Sequence, residues 1–171
     1  MYRLRFIYVM LKSLLTPKKT FLADFKLHFI AIPFIDTDMS QLFTQTYSLY
    51  MGLARWNILF NSEIRTAALK WYWVPVTASE TMTYKKPIKA FSLVTLVTRA
   101  VYWDDQRFYL EHLFYVNQTI HAKAYVAGLV RGPKGKVKPN EGFKLLGIEK
   151  ESPPMPLEIK SWIDFLANKN S

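Results

Sequence analysis

Residues 44–60 read TQTYSLYMGLARWNILF, and this stretch decides the plan of the chain. Tyr47, Tyr50, Met51, Ala54, Ile58 and Leu59 recur at three- and four-residue steps, so one broad apolar face runs along a single long helix. Thr44 or Thr46 offers an N-cap hydroxyl at its start. The flanking sequence has a different period. Upstream, KLHFIAIPFI at 26–35 is rich in β-branched and aromatic residues and reads as a strand, with Pro33 marking an edge or a bulge. Downstream come a short helical turn at 63–69 and an extended region at 72–86. Three strand-like runs follow: FSLVTLVTRAVYW at 91–103, FYLEHLFYV at 108–116 and HAKAYVAGLV at 121–130. Asp104-Asp105-Gln106 and Asn117-Gln118 favour turns, which makes the three runs successive antiparallel strands. Gly132-Pro133-Lys134-Gly135 then ends the sheet and residues 152–156 form an extended linker. Leu157–Lys169 closes the chain as a helix with Ile159, Trp162, Ile163 and Leu166 on one face. Strand, long apolar helix, then four strands describe an α+β fold in which a sheet wraps one central helix. The expected divisions are an N-terminal helical segment at 1–20, a main domain at 21–150, and a linker with a C-terminal helix at 151–171.

The composition agrees with one ordinary domain. The chain has 171 residues, half of them hydrophobic and 16% aromatic, far above what a disordered segment carries. The absence of cysteine excludes disulfide frameworks, thiolate metal sites and cysteine nucleophiles. His28, His112 and His121 are too scattered to suggest a metal centre, and no cofactor is implied. A net charge of +10 points to an anionic partner: nucleic acid, a membrane surface or a phosphate-bearing small molecule. The cations fall in three places, at Arg3, Arg5, Lys12, Lys18 and Lys19, at Lys85-Lys86, and at Arg131, Lys134, Lys136 and Lys138. No run is dense enough for a nucleic-acid tail and no recognition motif accompanies the charge, which ranks nucleic acid last.

Residues 1–16, MYRLRFIYVMLKSLLT, set Leu4, Ile7, Tyr8, Leu11, Leu14 and Leu15 at helical spacing, with Arg3, Arg5 and Lys12 off that stripe. The unbroken apolar run from Phe6 to Leu11 falls far short of the roughly 20 residues that span a bilayer. No small-residue cleavage pattern follows. Two readings stand for this amphipathic helix: packing on its own domain or a second subunit, or lying on an anionic membrane. The expected location is cytoplasmic, with membrane association through residues 1–16 as the variant.

Several carboxylates and cations invite chemistry. Asp38 falls between an apolar strand and a helix, where its carboxylate could face a pocket together with a helix N-terminus; Asp-Thr-Asp at such a point is equally an ordinary capping or turn sequence. Glu80 interrupts an apolar strand, and alternation puts it with Met82 and Tyr84 on one face; a solvated face and polar support of a pocket are the two readings. Glu111 and His112 are sequence neighbours and so face opposite sides of their strand. The three histidines read as structural or exposed. Arg131, Lys134, Lys136 and Lys138 suit the phosphates of a nucleotide-bearing substrate, or form a solvated turn.

The order of elements, together with Ile35-Asp36-Thr37-Asp38, Tyr47, Met51 through Trp56, Tyr84-Lys85-Lys86-Pro87, Trp103-Asp104-Asp105, Phe108 through Glu111, and Ala124 through Gly132, resembles the hotdog-fold acyl-CoA thioesterases, in the branch similar to 4-hydroxybenzoyl-CoA thioesterase. The similarity runs nearly the whole chain. The basic N-terminal helix is similar to that of members beginning with a membrane-seeking segment. The resemblance implies a homodimer or dimer of dimers with sites at the subunit interface, and thioesters of coenzyme A or acyl carrier protein as substrates. It further implies an acid at Asp38 acting as base or nucleophile, and backbone N–H groups at Thr44, Gln45 and Thr46 polarising the thioester carbonyl.

The departures are as informative as the matches. Active relatives follow the acid with a histidine, a hydrophobic residue and one or two asparagines, whereas Met39-Ser40-Gln41-Leu42-Phe43-Thr44-Gln45 follows Asp38. The interval from Asp38 to Tyr47 is one residue shorter, so Gln41 or Leu42 takes the place of the histidine. Gly52 stands where many relatives carry an acid. Two functions follow: hydrolysis of acyl thioesters with Asp38, supported by Gln41 and Glu80, or a disabled hotdog protein that binds acyl-CoA or lipid.

Overall fold

In the computed structural model, which describes residues 2–38 and 40–168, the elements follow one another as α1 (Tyr2–Leu15), β1 (Phe25–Ile30), α2 (Thr44–Asn61), α3 (Arg65–Lys70), β2 (Val74–Tyr84), β3 (Leu93–Trp103), β4 (Phe108–Val116), β5 (Thr119–Gly132), β6 (Gly135–Val137), α4 (Pro139–Leu145) and α5 (Leu157–Asn168). Met39, which interrupts the segment after Asp38, and Lys169, the expected end of the last helix, lie outside the described residues. The strands form one antiparallel sheet ordered β1-β3-β4-β5-β2, with β6 paired to β5.

The apolar face expected of residues 44–60 is the one that the sheet wraps. Tyr47, Tyr50, Met51, Ala54, Ile58 and Leu59 are all buried. They meet the inward residues of the strands, among them Leu27 and Phe29 of β1, Val94 and Leu96 of β3, Phe114 of β4 and Val126 of β5. Phe29 stacks on Tyr50 with ring centres 3.4 Å apart. Each large side chain withdrawn from water here contributes about 2 kcal/mol, and packing of α2 rather than capping stabilises the helix. A second cluster surrounds the C-terminal half of α2, where Ile58 and Leu59 meet Trp73, Trp103, Leu110 and Phe143.

The opposite face of the sheet is covered by α5. Ile159 is buried against Tyr109 and Ala127, with Trp162 and Ile163 beside them. The period-2 alternation is strict in β4: Leu110, His112 and Phe114 point to α2, while Tyr109 faces α5.

Turn chemistry closes the hairpins as expected. Asn117 and Gln118 take φ of +48° and +65° between Val116 and its partner Thr119, the doubly left-handed arrangement of a two-residue hairpin. Asp104 Oδ1 accepts the backbone N–H groups of Gln106 and Arg107, tying the β3–β4 turn.

Four expectations need correction. The strand anticipated over 26–35 stops at Ile30, because from Ile32 the chain folds into turns around the Asp36 carboxylate, through Phe34 at φ +60°. Neither Thr44 nor Thr46 caps α2: Phe43 is the N-cap residue, without a side-chain bond, and the Thr46 hydroxyl donates to the Asp36 carbonyl instead. Gly132–Gly135 does not end the sheet but turns it into β6, pairing Arg131 with Lys136. The periodicity also missed α4, whose Pro139 occupies the first helical turn.

Candidate active site

The segment 31–43 between β1 and α2 is organised by Asp36, a residue the sequence presented only as part of a motif. Its side chain is 4% exposed. Arg5 of α1 donates to both oxygens, Nη1 to Oδ1 at 2.6 Å and Nη2 to Oδ2 at 2.7 Å. Oδ2 also accepts the Ile32 N–H at 2.9 Å and the Tyr50 hydroxyl at 3.2 Å. Burial opposes the charge of this carboxylate, but the Arg5 fork and these donors outweigh it and hold its pKa below the ordinary value. Asp36 therefore serves as an anchor: its carbonyl accepts the Phe43 N–H and the Thr46 hydroxyl, joining the loop to the first turn of α2.

Asp38, two residues on, is exposed. Its Oδ1 accepts the N–H of Ser40 at 2.6 Å, the Ser40 hydroxyl at 2.9 Å and the Gln41 N–H at 2.8 Å. The Gln41 and Ser40 amides and the Ser40 hydroxyl keep its pKa below the ordinary value, so the group is a carboxylate at neutral pH. All three bonds land on one oxygen.

Beyond this turn lies the start of α2, whose first amides are capped by no side chain. A cleft of about 370 Å³ opens there, lined by Gln41, Leu42, Thr44, Tyr47, the last β2 residue Tyr84 and the Lys85-Lys86-Pro87 segment that follows it. Gln41 and Thr44 thus share its lining, of which Asp38 is not part. Thr46 is buried beneath it, and Gln45 is exposed at the helix start. Burial and the neighbouring Tyr84 push the Tyr47 hydroxyl up to about 12, so it is neutral in this cleft.

Glu80 stands farther along β2, on the α2 side, and accepts the Ser48 hydroxyl at 2.6 Å. Behind it Arg55 is largely withdrawn from water, and this desolvation lowers its pKa against the compensating charge of Glu80. Arg55 Nη1 and His112 Nε2 have no hydrogen-bond partner among the described residues. His112 is fully buried with Nδ1 2.8 Å from the Thr98 hydroxyl, and burial followed by the nearby Arg55 charge drives its pKa well below 6.5. His28 and His121 lie at the surface beside Thr95 and the Pro87 carbonyl.

The four basic residues gather at the opposite end of the sheet. Lys134 and Lys136 share a cleft of about 490 Å³ with Lys70, Trp71, Tyr72 and Trp73. Arg131 and Lys138 flank it on the β5–β6 hairpin, where Lys138 pairs with Glu141. From this end to the α2 N-terminus runs the length of β2, whose 11 residues span roughly 36 Å.

Residues 33–163 match the family model of the thioesterase-like superfamily. The chain belongs to that superfamily. The match opens at Pro33, so it contains Asp36, Asp38, α2 and the whole hairpin series. A comparison with curated protein sequences finds no match. Among solved structures, the probable thioesterase YbaW from Escherichia coli superposes with a TM-score of 0.62 at 15% identity, covering 73% of this chain and 98% of that one. DHNA-CoA thioesterase from Staphylococcus aureus gives 0.60 at 14% identity over 86% and 95%. A 4-hydroxybenzoyl-CoA thioesterase variant complexed with 4-hydroxybenzoyl-CoA gives 0.61 at 12% identity over 72% and 97%. The fold of this superfamily member is thus the hotdog, as the resemblance implied. Sequence reading alone did not single out Arg5, Asp36, Ser48 or Arg55. An arginine 31 residues before its carboxylate partner leaves no periodic trace, because the contact exists only once α1 lies along α2.

Proposed function

We propose that this thioesterase-like protein hydrolyses acyl thioesters of coenzyme A or of acyl carrier protein at the cleft beside the α2 N-terminus. The observation that carries the reading is that an open cleft meets helix amides without a side-chain cap at one end of α2, with the ionised Asp38 in the turn that leads into Gln41 on the cleft lining. The amides of Thr44 and Gln45 polarise the thioester carbonyl, reinforced by the helix dipole. The Thr46 amide expected beside them takes no part, because it is buried and donates to the Phe43 carbonyl at 2.9 Å. Asp38 acts through the oxygen not engaged by Ser40 and Gln41. As a base it takes a proton from water while the water oxygen adds to the carbonyl carbon; as a nucleophile it forms an anhydride that water then opens. In both, the C–S bond breaks, the thiolate leaves and takes up a proton, and the acyl group ends as a carboxylic acid. Gln41 and Glu80 give polar support.

The working unit in this reading is a homodimer or a dimer of dimers. β2 is an edge strand, and antiparallel pairing with β2 of a second copy continues the sheet. That pairing sets the second copy's basic hairpin near the first copy's α2 N-terminus, across the 36 Å that separates them roughly within one chain. Arg131, Lys134, Lys136 and Lys138 then meet the phosphates of coenzyme A. Leu49 is 48% exposed on α2, next to Ser48, whose hydroxyl reaches Glu80 of this edge strand. Leu49→Glu is expected to convert the dimer to a folded monomer in light scattering. A peripheral position at a membrane through residues 1–16 completes the reading, supported by the outward apolar side chains of α1.

The second reading, a non-catalytic acyl or lipid binder, is favoured by the replacement of the family's histidine and asparagines and by the engagement of Asp38 in its own turn. Thiol release from a panel of acyl-CoA thioesters separates the two. Hydrolysis that Asp38→Asn reduces at least a hundredfold supports the first. Activity indifferent to that change removes Asp38 from the mechanism. Absence of turnover with thermal stabilisation by acyl-CoA establishes the second.

A further inference from the structure

The helix α1 lies on the domain by the face opposite its apolar stripe. Val9 and Ser13 are buried, Phe6 packs edge-on against Trp56 and Phe60, and Arg65 donates to the Ser13 carbonyl. Leu4, Ile7, Tyr8, Leu11 and Leu15 point away from the domain, 45–90% exposed. At 3.6 residues per turn these five occupy an arc of about 100°, with Arg3 and Lys12 on its two shoulders.

A second apolar group adjoins the first turn of this helix, where Arg5 grips Asp36. Phe34 and Phe91 are 83% and 76% exposed, on loops tied together by the Phe91 N–H to the Ala31 carbonyl at 2.8 Å and the Ala31 N–H to the Ser92 carbonyl at 3.0 Å. Their φ angles, +60° and +63°, belong to the left-handed region that bulky side chains rarely adopt. The fold holds two aromatic rings in water at a conformational cost. Ile35 is 44% exposed between Phe34 and Asp36, and Lys89 is exposed two residues before Phe91.

We propose that the outward stripe of α1 and the Phe34–Phe91 loop tip form one docking face for an anionic lipid bilayer. Tyr8, Phe34, Phe91 and the leucines enter the boundary between headgroups and acyl chains, while Arg3, Lys12 and Lys89 meet the headgroup anions. Charge selects lipid over a second copy of the chain: residues 1–23 hold five cations and no acid, so pairing stripe on stripe would set like charges together. Among the described residues no helix is long and apolar enough to cross a membrane, so the helix lies on the surface. The inference extends the membrane position in the proposed function and is independent of hydrolysis.

The test is sedimentation of the full chain with vesicles of phosphatidylcholine alone or mixed with phosphatidylserine, at low and physiological salt. Binding to the mixed vesicles at least tenfold above neutral ones, weakened by salt, is expected. Ile7→Ser/Leu11→Ser should reduce it more than tenfold. Phe34→Asn/Phe91→Asn should also reduce it about tenfold while keeping or raising the melting temperature, since asparagine tolerates the left-handed backbone. Absence of binding, equal binding to both vesicles, or binding that both variants leave unchanged overturns the proposal. So does a stripe variant that only dissociates a dimer. Vesicle binding is read without turnover, so loss of the hydrolase reading leaves this result standing, and the converse.

Discussion

Arg5 and Asp36 form a two-pronged ion pair, at 2.6 and 2.7 Å, that clamps α1 to the loop leading into α2. Asp36 is nearly sealed from water and Arg5 is one-fifth exposed. Removing the cation leaves a buried carboxylate with only the Ile32 amide and the Tyr50 hydroxyl, which costs about 3 kcal/mol. Arg5→Ala should lower the urea midpoint accordingly, and Arg5→Lys should fall between, because an ammonium cannot reproduce the fork.

The same pair makes stability depend on acidity. The folded pKa of Asp36 lies below the unfolded value of 3.8, so the contribution is complete above that value and disappears as pH falls through the lower, folded one. Denaturation midpoints followed from neutral pH to pH ~2 should show a loss below about pH 4 that is smaller in Asp36→Asn.

His112 adds a second acid dependence nearer neutrality. It is buried without charge and its folded pKa lies well below 6.5, so below pH 6.5 the unfolded chain takes up a proton that the folded one refuses. Stability should therefore fall with decreasing pH at up to about 1.4 kcal/mol per unit until the folded pKa is reached. His112→Gln should flatten that slope between pH 6.5 and 5, whatever it does to absolute stability.

Asp38 is predicted to titrate below 3.8 through its bonds from Gln41 and Ser40. The acid limb of kcat/KM should lie under that value in the wild type and move up in Ser40→Ala, which deletes one of the three bonds. An unmoved limb would assign the titration to another group.

Gly52 faces the Tyr2 hydroxyl and the Arg55 guanidinium, which a Cβ would meet at 3.6 and 3.8 Å, ordinary contact distances. Gly52→Ala should thus stabilise α2 by about 0.5–1 kcal/mol through helix propensity, raising the melting temperature by roughly 1–4 °C.

Local spacing was sufficient for much of this molecule. The three- and four-residue recurrence in 44–60 identifies the face of α2 that the sheet encloses, and alternation places Leu110, His112 and Phe114 on one side of β4 with Glu111 on the other. The turn residues at 104–106 and 117–118 set the hairpins. These features depend on neighbours within a few positions, which is the range over which backbone geometry relates side chains. Which of two opposite faces is covered is a different matter. α1 has an apolar stripe that its sequence displays openly, yet the domain is met by Arg5, Phe6, Val9 and Ser13 on the other side, because Trp56, Phe60 and Asp36 are waiting there. Likewise a linear reading gives chemistry to Asp38 and leaves Asp36 as one member of a motif; only the fold buries Asp36 against an arginine from another helix and leaves Asp38 in its own exposed turn. The sequence alone determined the main elements, α4 and β6 excepted, and the residues that share a face within them. The tertiary structure alone decided which face is buried and which acid is anchored, since both rest on contacts between residues dozens of positions apart.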